Sequence, residues 1–63
     1  MGRSAKVRTE FIPTVKDALI RNGFFRQIDL AERLELSQST IHSFLNGKPV
    51  DYLNFLEICK VLG

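Results

Sequence analysis

The stretch that decides the fold is "QIDLAERLELSQSTIHSFLNGKPV", residues 27–50. Apolar residues recur in it every three or four positions, and this spacing predicts two short amphipathic helices. We expect the first helix over residues 27–34. The second should begin after Ser37 and end near Asn46 and Gly47, because serine is a good helix N-cap and glycine a good helix stop. Only the three residues "ELS" join the two helices.

The second of these helices, residues 38–46, has two chemically distinct faces when its residues are placed at about 100° each. Ile41, Phe44 and Leu45 form the apolar face. The opposite face carries only uncharged polar residues, with neither Arg nor Lys: Gln38, Ser39, His42, Ser43 and Asn46. That polar face must meet either water or a partner, and the pattern alone leaves both interpretations open.

Two more helices are predicted on either side of this pair, and strand-like alternation is missing. One covers residues 9–22, with Pro13 in its first turn, and the other begins after Asp51, which we interpret as an N-cap, and runs to Leu62. The sequence therefore predicts an all-α bundle of four helices. Besides the apolar face already named, the residues expected to face the core are Phe11, Val15, Ala18, Leu19, Leu30, Ala31, Leu34, Phe55, Ile58, Cys59 and Leu62.

The charge is distributed unevenly along the 63 residues, whose formal net charge is +2. Arg3, Lys6 and Arg8 lie in the first eight residues, which contain no acid. We therefore divide the chain into a basic N-terminal arm, residues 1–8, and one nearly neutral domain, residues 9–63. A basic arm favours nucleic acid as a partner, but it is equally typical of a solubilising tail.

Several classes of site are not predicted. The chain has one cysteine, so it cannot form an internal disulfide, which is typical of the reducing cytosol. His42 is the only histidine and Cys59 is expected in the core, so neither a zinc site nor a cysteine nucleophile is predicted. No carboxylate pair, glycine-rich phosphate loop or nucleophilic triad appears, and we expect neither an enzyme nor a cofactor. No signal peptide or membrane span is recognisable either.

Certain positions of residues 27–50 resemble the helix-turn-helix of the Cro and phage-repressor family, the lambda-repressor-like or XRE type. The matching residues are Gln27, Leu30-Ala31, the cap Ser37 and Asn46-Gly47. More narrowly, "FLNGKPVDYLNFLEICKVLG", residues 44–63, resembles the N-terminal domain of large cyanobacterial multidomain proteins, which continue into an NTPase module and WD or TPR repeats. The family's fifth helix is absent here, so we expect a fragment of a longer protein.

The resemblance implies sequence-specific binding of double-stranded DNA, with residues 38–46 as a recognition helix in the major groove, as part of a transcriptional regulator. The implied base contacts are Gln38, Ser39, His42 and Ser43. The implied phosphate contacts are Gln27, Asn46, Lys48, Arg3, Lys6 and Arg8. It further implies a bacterial cytoplasmic protein, associated with the nucleoid if it binds DNA. We expect the isolated domain to be a monomer, with a dimer possible on DNA.

Two features complicate this interpretation. Glu35 stands where the family favours glycine, so a non-glycine residue is expected to adopt a strained backbone conformation. The nearly neutral domain and the resemblance to multidomain proteins also support an alternative function. In that alternative the chain is a protein-interaction or signalling adapter with little affinity for DNA, and its partner is another protein or another domain of the same chain.

Overall fold

A computed structural model describes residues 3–63, so Met1 and Gly2 of the predicted arm lie outside the described residues. Four α-helices make up most of it: α1 (Ile12–Arg21), α2 (Gln27–Leu34), α3 (Gln38–Leu45) and α4 (Tyr52–Leu62). A 3-10 turn, Thr9–Phe11, leads into α1. Two short strands, β1 (Ser4–Ala5) and β2 (Val50–Asp51), complete the fold. The expected helical bundle is confirmed, and the small sheet is an addition that the sequence did not predict.

The core is formed by side chains from all four helices, with Leu19 as the contribution of α1. Leu30 of α2, Ile41 and Phe44 of α3 and Ile58 of α4 are the largest side chains that are fully buried. The Phe44 ring also packs against the half-buried Phe55 ring, with 5.4 Å between the centroids and a tilt of 54°. Because α3 supplies two of these four residues, one whole side of this helix is enclosed by the core.

Three of the helices end with the same hydrogen-bond pattern, a Schellman motif. After α1, Gly23 N–H donates to Ile20 and Phe24 N–H to Leu19. After α3, Gly47 N–H donates to Phe44 and Lys48 N–H to Ser43. This motif needs a left-handed residue just past the helix, and the two glycines, with φ of 85° and 72°, supply it without a steric cost.

Glu35 takes the same place after α2, but it is not a glycine. Its N–H donates to Glu32, the Leu36 N–H donates to Ala31, and its φ and ψ are 56° and 39°. The strained backbone expected at Glu35 from the family resemblance is therefore present, and it is a left-handed conformation. It allows α3 to begin after only three connecting residues.

The N-terminal segment is held against the helices and is not a free arm over residues 3–8. β1 pairs antiparallel with β2, Ser4 opposite Asp51 and Ala5 opposite Val50. The Tyr52 N–H extends this pairing by donating to the Arg3 carbonyl at 2.8 Å. Val7 and Val50 are buried, so the segment also adds apolar contacts to the core.

Three sequence predictions about side chains are wrong. Phe11 is 51% exposed and Ile12 packs on the core in its place, because the 3-10 turn shifts the phase of the helix. Cys59 is exposed, because α4 turns Ile58 into the core and Cys59 outward. Asp51 precedes α4 as predicted, but its side chain caps no amide, since its backbone is engaged in the strand pair.

One finding concerns membranes. Within residues 3–63, no helix combines the length and the apolar composition that a bilayer crossing requires.

Replacing Glu35 by glycine should stabilise the domain. Glycine relieves a left-handed strain of about 1–2 kcal/mol and adds about 0.5–1 kcal/mol of backbone entropy to the unfolded state. We expect the free energy of unfolding to rise by about 0.5–1 kcal/mol. Urea denaturation of Glu35→Gly measures it, and Glu32→Gly, inside α2, is the control and should lose about 1 kcal/mol. A Glu35→Gly variant as unstable as the control would contradict the assigned strain.

Replacing Gly47 by alanine should destabilise the domain more than the same change at Gly23. Both glycines have positive φ, but a Cβ at position 47 would lie 3.0 Å from Ile12 Cδ1 and 3.1 Å from the Val7 carbonyl oxygen. A Cβ at position 23 would meet nothing within 4 Å. Comparing the thermal unfolding of Gly47→Ala and Gly23→Ala isolates the effect of the close approach to Gly47. Equal losses of stability in the two variants would show that Val7 does not pack against Gly47.

Candidate nucleic-acid interface

The candidate site is the outward face of α3. Its apolar residues Ile41, Phe44 and Leu45 are buried, so the opposite side of the helix is directed to the surface. Gln38, Ser39, His42 and Asn46 are exposed there, and Ser43 is half-buried. We call these five residues the polar face. The structure thus gathers all four predicted base-contacting residues on one surface.

The N-terminus of α3 is fixed by its own side chains. Ser37 Oγ accepts a hydrogen bond from Thr40 N–H at 3.2 Å and lies 2.9 Å from Thr40 Oγ1. This confirms Ser37 as the N-cap. Gln38 and Ser39 follow directly, so the first residues of the polar face project from a firmly defined turn of helix.

The C-terminus of α3 is closed by Asn46. Its Nδ2 donates to the His42 carbonyl oxygen at 2.7 Å and lies 3.4 Å from both ring nitrogens of His42. The amide predicted to contact a phosphate is thus already engaged with the helix. Its Nδ2 therefore closes the last turn of the helix beside the His42 ring and is not available as an independent phosphate ligand.

Cations lie beside this same end of α3. The Schellman motif holds Lys48 directly after the helix, and Lys48 is exposed. The Val7 carbonyl lies so near Gly47 that an added Cβ would be 3.1 Å away. Val7 points into the core, while its neighbours Lys6 and Arg8 are exposed. We call Lys6, Arg8 and Lys48 the basic rim.

The two remaining predicted phosphate contacts lie elsewhere. The guanidinium carbon of Arg3 lies 5.8 Å from the centroid of the Tyr52 ring, so Arg3 sits over the beginning of α4. Gln27 is the first residue of α2 and is half-buried. Of these two residues, only Gln27 belongs to α2, the helix that packs most extensively on α3.

One pair of charges at the start of α2 was not predicted from the sequence. The Asp29 carboxylate accepts hydrogen bonds from Arg26 Nη2 at 2.9 Å and from the Arg26 backbone N–H at 3.2 Å. The side-chain hydrogen bond to Arg26 lowers the pKa of Asp29 below its usual range and raises the pKa of Arg26. The spacing of three residues at a helix start was the signal in the sequence. Because Asp29 offsets its charge, Arg26 is a weaker phosphate ligand than the basic rim.

The chemistry available at this surface is recognition by hydrogen bonding. Over residues 3–63 no three His, Cys, Asp or Glu side chains come together, and no buried side-chain polar atom lacks a hydrogen-bond partner. The polar face of α3 presents the Gln38 amide, the His42 imidazole and serine hydroxyls, and the basic rim lies beside its C-terminal end.

Comparison with known proteins adds no assignment. The chain matches no protein-family model, no curated protein sequence and no solved structure. The likeness to the Cro and phage-repressor family therefore rests on the residues quoted from the sequence, and the function must be argued from the site.

The Arg26–Asp29 pair should make stability depend on pH. The folded-state pKa of Asp29 is depressed, so its contribution is present above the unfolded pKa and is lost as pH falls through the folded pKa. Urea denaturation from about pH 6 to about pH 2.5 should show a larger loss in the native chain than in Asp29→Asn. The pair is on the surface, so the difference should be small and should shrink in high salt. Parallel curves for the two proteins would contradict the pairing.

Proposed function

We propose that this chain is a DNA-binding domain in which α2, the three-residue turn and α3 act as a helix-turn-helix, with α3 entering the major groove of double-stranded DNA. The observation that carries the proposal is the combination of the polar face with the basic rim at one end of the same helix. As part of a transcriptional regulator, such a domain would recognise a specific operator sequence.

The polar face supplies the groups that distinguish bases. A glutamine amide can both donate to and accept from adenine, and serine hydroxyls can bond with several bases. Gln38 and Ser39 occupy the first turn of α3, the part of a recognition helix that touches base edges. His42 and Ser43 follow one turn later, and Asn46 Nδ2 lies 3.4 Å from the ring nitrogens of His42.

The basic rim supplies the attraction to phosphates that the helix itself lacks. DNA affinity depends strongly on the number of phosphates neutralised, with a logarithmic salt slope of about −0.9 for each. Three cations predict a slope of about −2.7, so a fourfold increase in salt should weaken binding by about 40-fold. That is a modest electrostatic contribution, and it suits a domain whose selectivity depends on base contacts.

A second function, as a protein-interaction adapter, is favoured by a different observation. Large apolar side chains that do not belong to the polar face are exposed, notably Phe25, at 76%, and Leu53, at 69%. An adapter would bind a protein partner through such residues and would show little salt-sensitive affinity for DNA. This alternative and DNA binding depend on different residues, so substitutions can test them separately.

Two substitutions should separate base recognition from phosphate attraction. Gln38→Ala should reduce discrimination between operator and random duplex by about 1–3 kcal/mol, because it removes a base contact. Lys48→Ala should weaken binding to all duplexes alike and reduce the salt slope by about 1. Fluorescence anisotropy with a selected operator and a scrambled duplex measures both quantities.

Lys16→Ala is the matched control, because Lys16 is exposed on α1 and belongs to neither the polar face nor the basic rim. It should change neither discrimination nor salt slope by a comparable amount. If Gln38→Ala and Lys48→Ala both bound like the native chain, α3 would not be the DNA-binding helix.

A further inference from the structure

One residue of the polar face can gain a charge near neutral pH. His42 is the only histidine of the chain, and the other four residues of the polar face carry amides and hydroxyls. Histidine is the side chain whose ordinary titration falls between about pH 5 and about pH 8. Protonation of His42 therefore places a positive charge on a helix that carries neither Lys nor Arg.

Both nitrogens of the His42 ring are open to a ligand. The side chain is exposed, and its hydrogen-bonding neighbour among residues 3–63 is Asn46 Nδ2, which lies 3.4 Å from Nδ1 and 3.4 Å from Nε2. A partner in the plane of the ring lies close to one nitrogen and farther from the other. The equal distances therefore place Asn46 Nδ2 over the face of the ring, and the in-plane direction of each nitrogen stays free.

No carboxylate pairs with His42 within residues 3–63. Several elements surround α3, namely the N-terminal segment, α1, α2, the turn after it, the segment after α3, β2 and α4. Their charged residues are Arg3, Lys6, Arg8, Lys16, Asp17, Arg21, Asp29, Glu32, Arg33, Glu35, Lys48, Asp51, Glu57 and Lys60. The one ion pair among residues 3–63 joins Asp29 to Arg26, so none of the acids is paired with His42. A close negative partner for a protonated ring must therefore come from the ligand, and this couples protonation of His42 to binding.

We propose that His42 reads guanine in its protonated form, so that the domain binds DNA more tightly as pH falls from about 7.5 to about 5.5. This inference rests on the proposed function and deepens it by naming the base that one residue selects. Guanine presents two acceptors, N7 and O6, in the major groove and no donor. Protonation turns the acceptor nitrogen of the ring into a second donor, which suits an edge that only accepts.

The neutral ring discriminates less between bases. One of its nitrogens donates and the other accepts, so it can bond with the amino group of adenine or cytosine as well as with guanine. A protonated ring only donates, so it cannot bond with the cytosine amino group, and its bond to a guanine acceptor is charge-assisted and stronger. Its two N–H groups diverge, and the second one is free for a phosphate. Affinity and preference for guanine should therefore increase together when His42 is protonated.

Fluorescence anisotropy at constant salt tests the pH dependence, with a duplex selected from random sequences at about pH 5.5. Uptake of one proton on binding changes the dissociation constant by at most about tenfold per pH unit, so the native chain should bind about 10–50-fold more tightly at about pH 5.5 than at about pH 7.5. His42→Gln cannot be protonated and should lose this dependence. His42→Lys should bind more tightly than His42→Gln at both pH values, without the dependence. Lys16→Ala is the control and should behave as the native chain, and circular dichroism checks that each variant is folded.

Inverting each G·C pair of the selected duplex to C·G, one at a time, identifies the base. At one position the inversion should remove the gain in affinity at low pH from the native chain, because the cytosine amino group replaces the guanine acceptors. The same inversion should have a smaller effect on His42→Gln.

The outcomes separate this inference from the proposed function. Salt-sensitive binding of the native chain that does not change with pH would overturn the inference and leave the proposed function standing. A dependence that His42→Gln retains, or that survives every inversion, would also overturn it. A native chain that binds no duplex at either pH would overturn both.

Discussion

The burial of one side of α3 is the constraint on which the rest of the structure depends. Ile41 and Phe44 are fully enclosed, and Leu45 is nearly so. A helix of eight residues is unstable by itself, so these apolar contacts hold it in place. Because that side is buried, the polar residues on the opposite side of α3 must lie at the surface. The candidate site is thus a direct consequence of how the core is packed.

The two ends of α3 show how local chemistry supports that packing. Ser37 caps the beginning, while Asn46 and the Gly47 turn close the end. The Gly47 turn has a second role, because the absence of a side chain there lets the Val7 backbone approach. The same residue that ends the helix therefore positions the N-terminal segment, and with it Lys6 and Arg8. In the proposed function, this glycine would link the electrostatic attraction of the basic rim to base recognition by the polar face.

Much of this could be predicted because its signals are local. Helices α2 to α4 were placed within a residue or so by caps, breakers and apolar spacing. The exposed polar face followed from the same short stretch, and the strain at Glu35 was expected from the family's preference for glycine at that position. The β1–β2 pair could not be predicted, because strands of two residues show no alternation and their partners are far apart in sequence. Cys59 was misplaced because it lies at the edge of the apolar stripe of α4, next to Phe55 and Leu62 on the helical wheel, and periodicity alone does not say where that stripe ends.

The central claim is that the polar face and the basic rim bind duplex DNA together. The most direct measurement is an NMR titration of the isotopically labelled chain with mixed-sequence duplex DNA, at low and at physiological salt. The account predicts shifts concentrated in Gln27, residues 38–46, Lys48, Lys6 and Arg8, and weakening as salt increases. Unchanged spectra even at low salt, or shifts confined to α1 and α4, would contradict it.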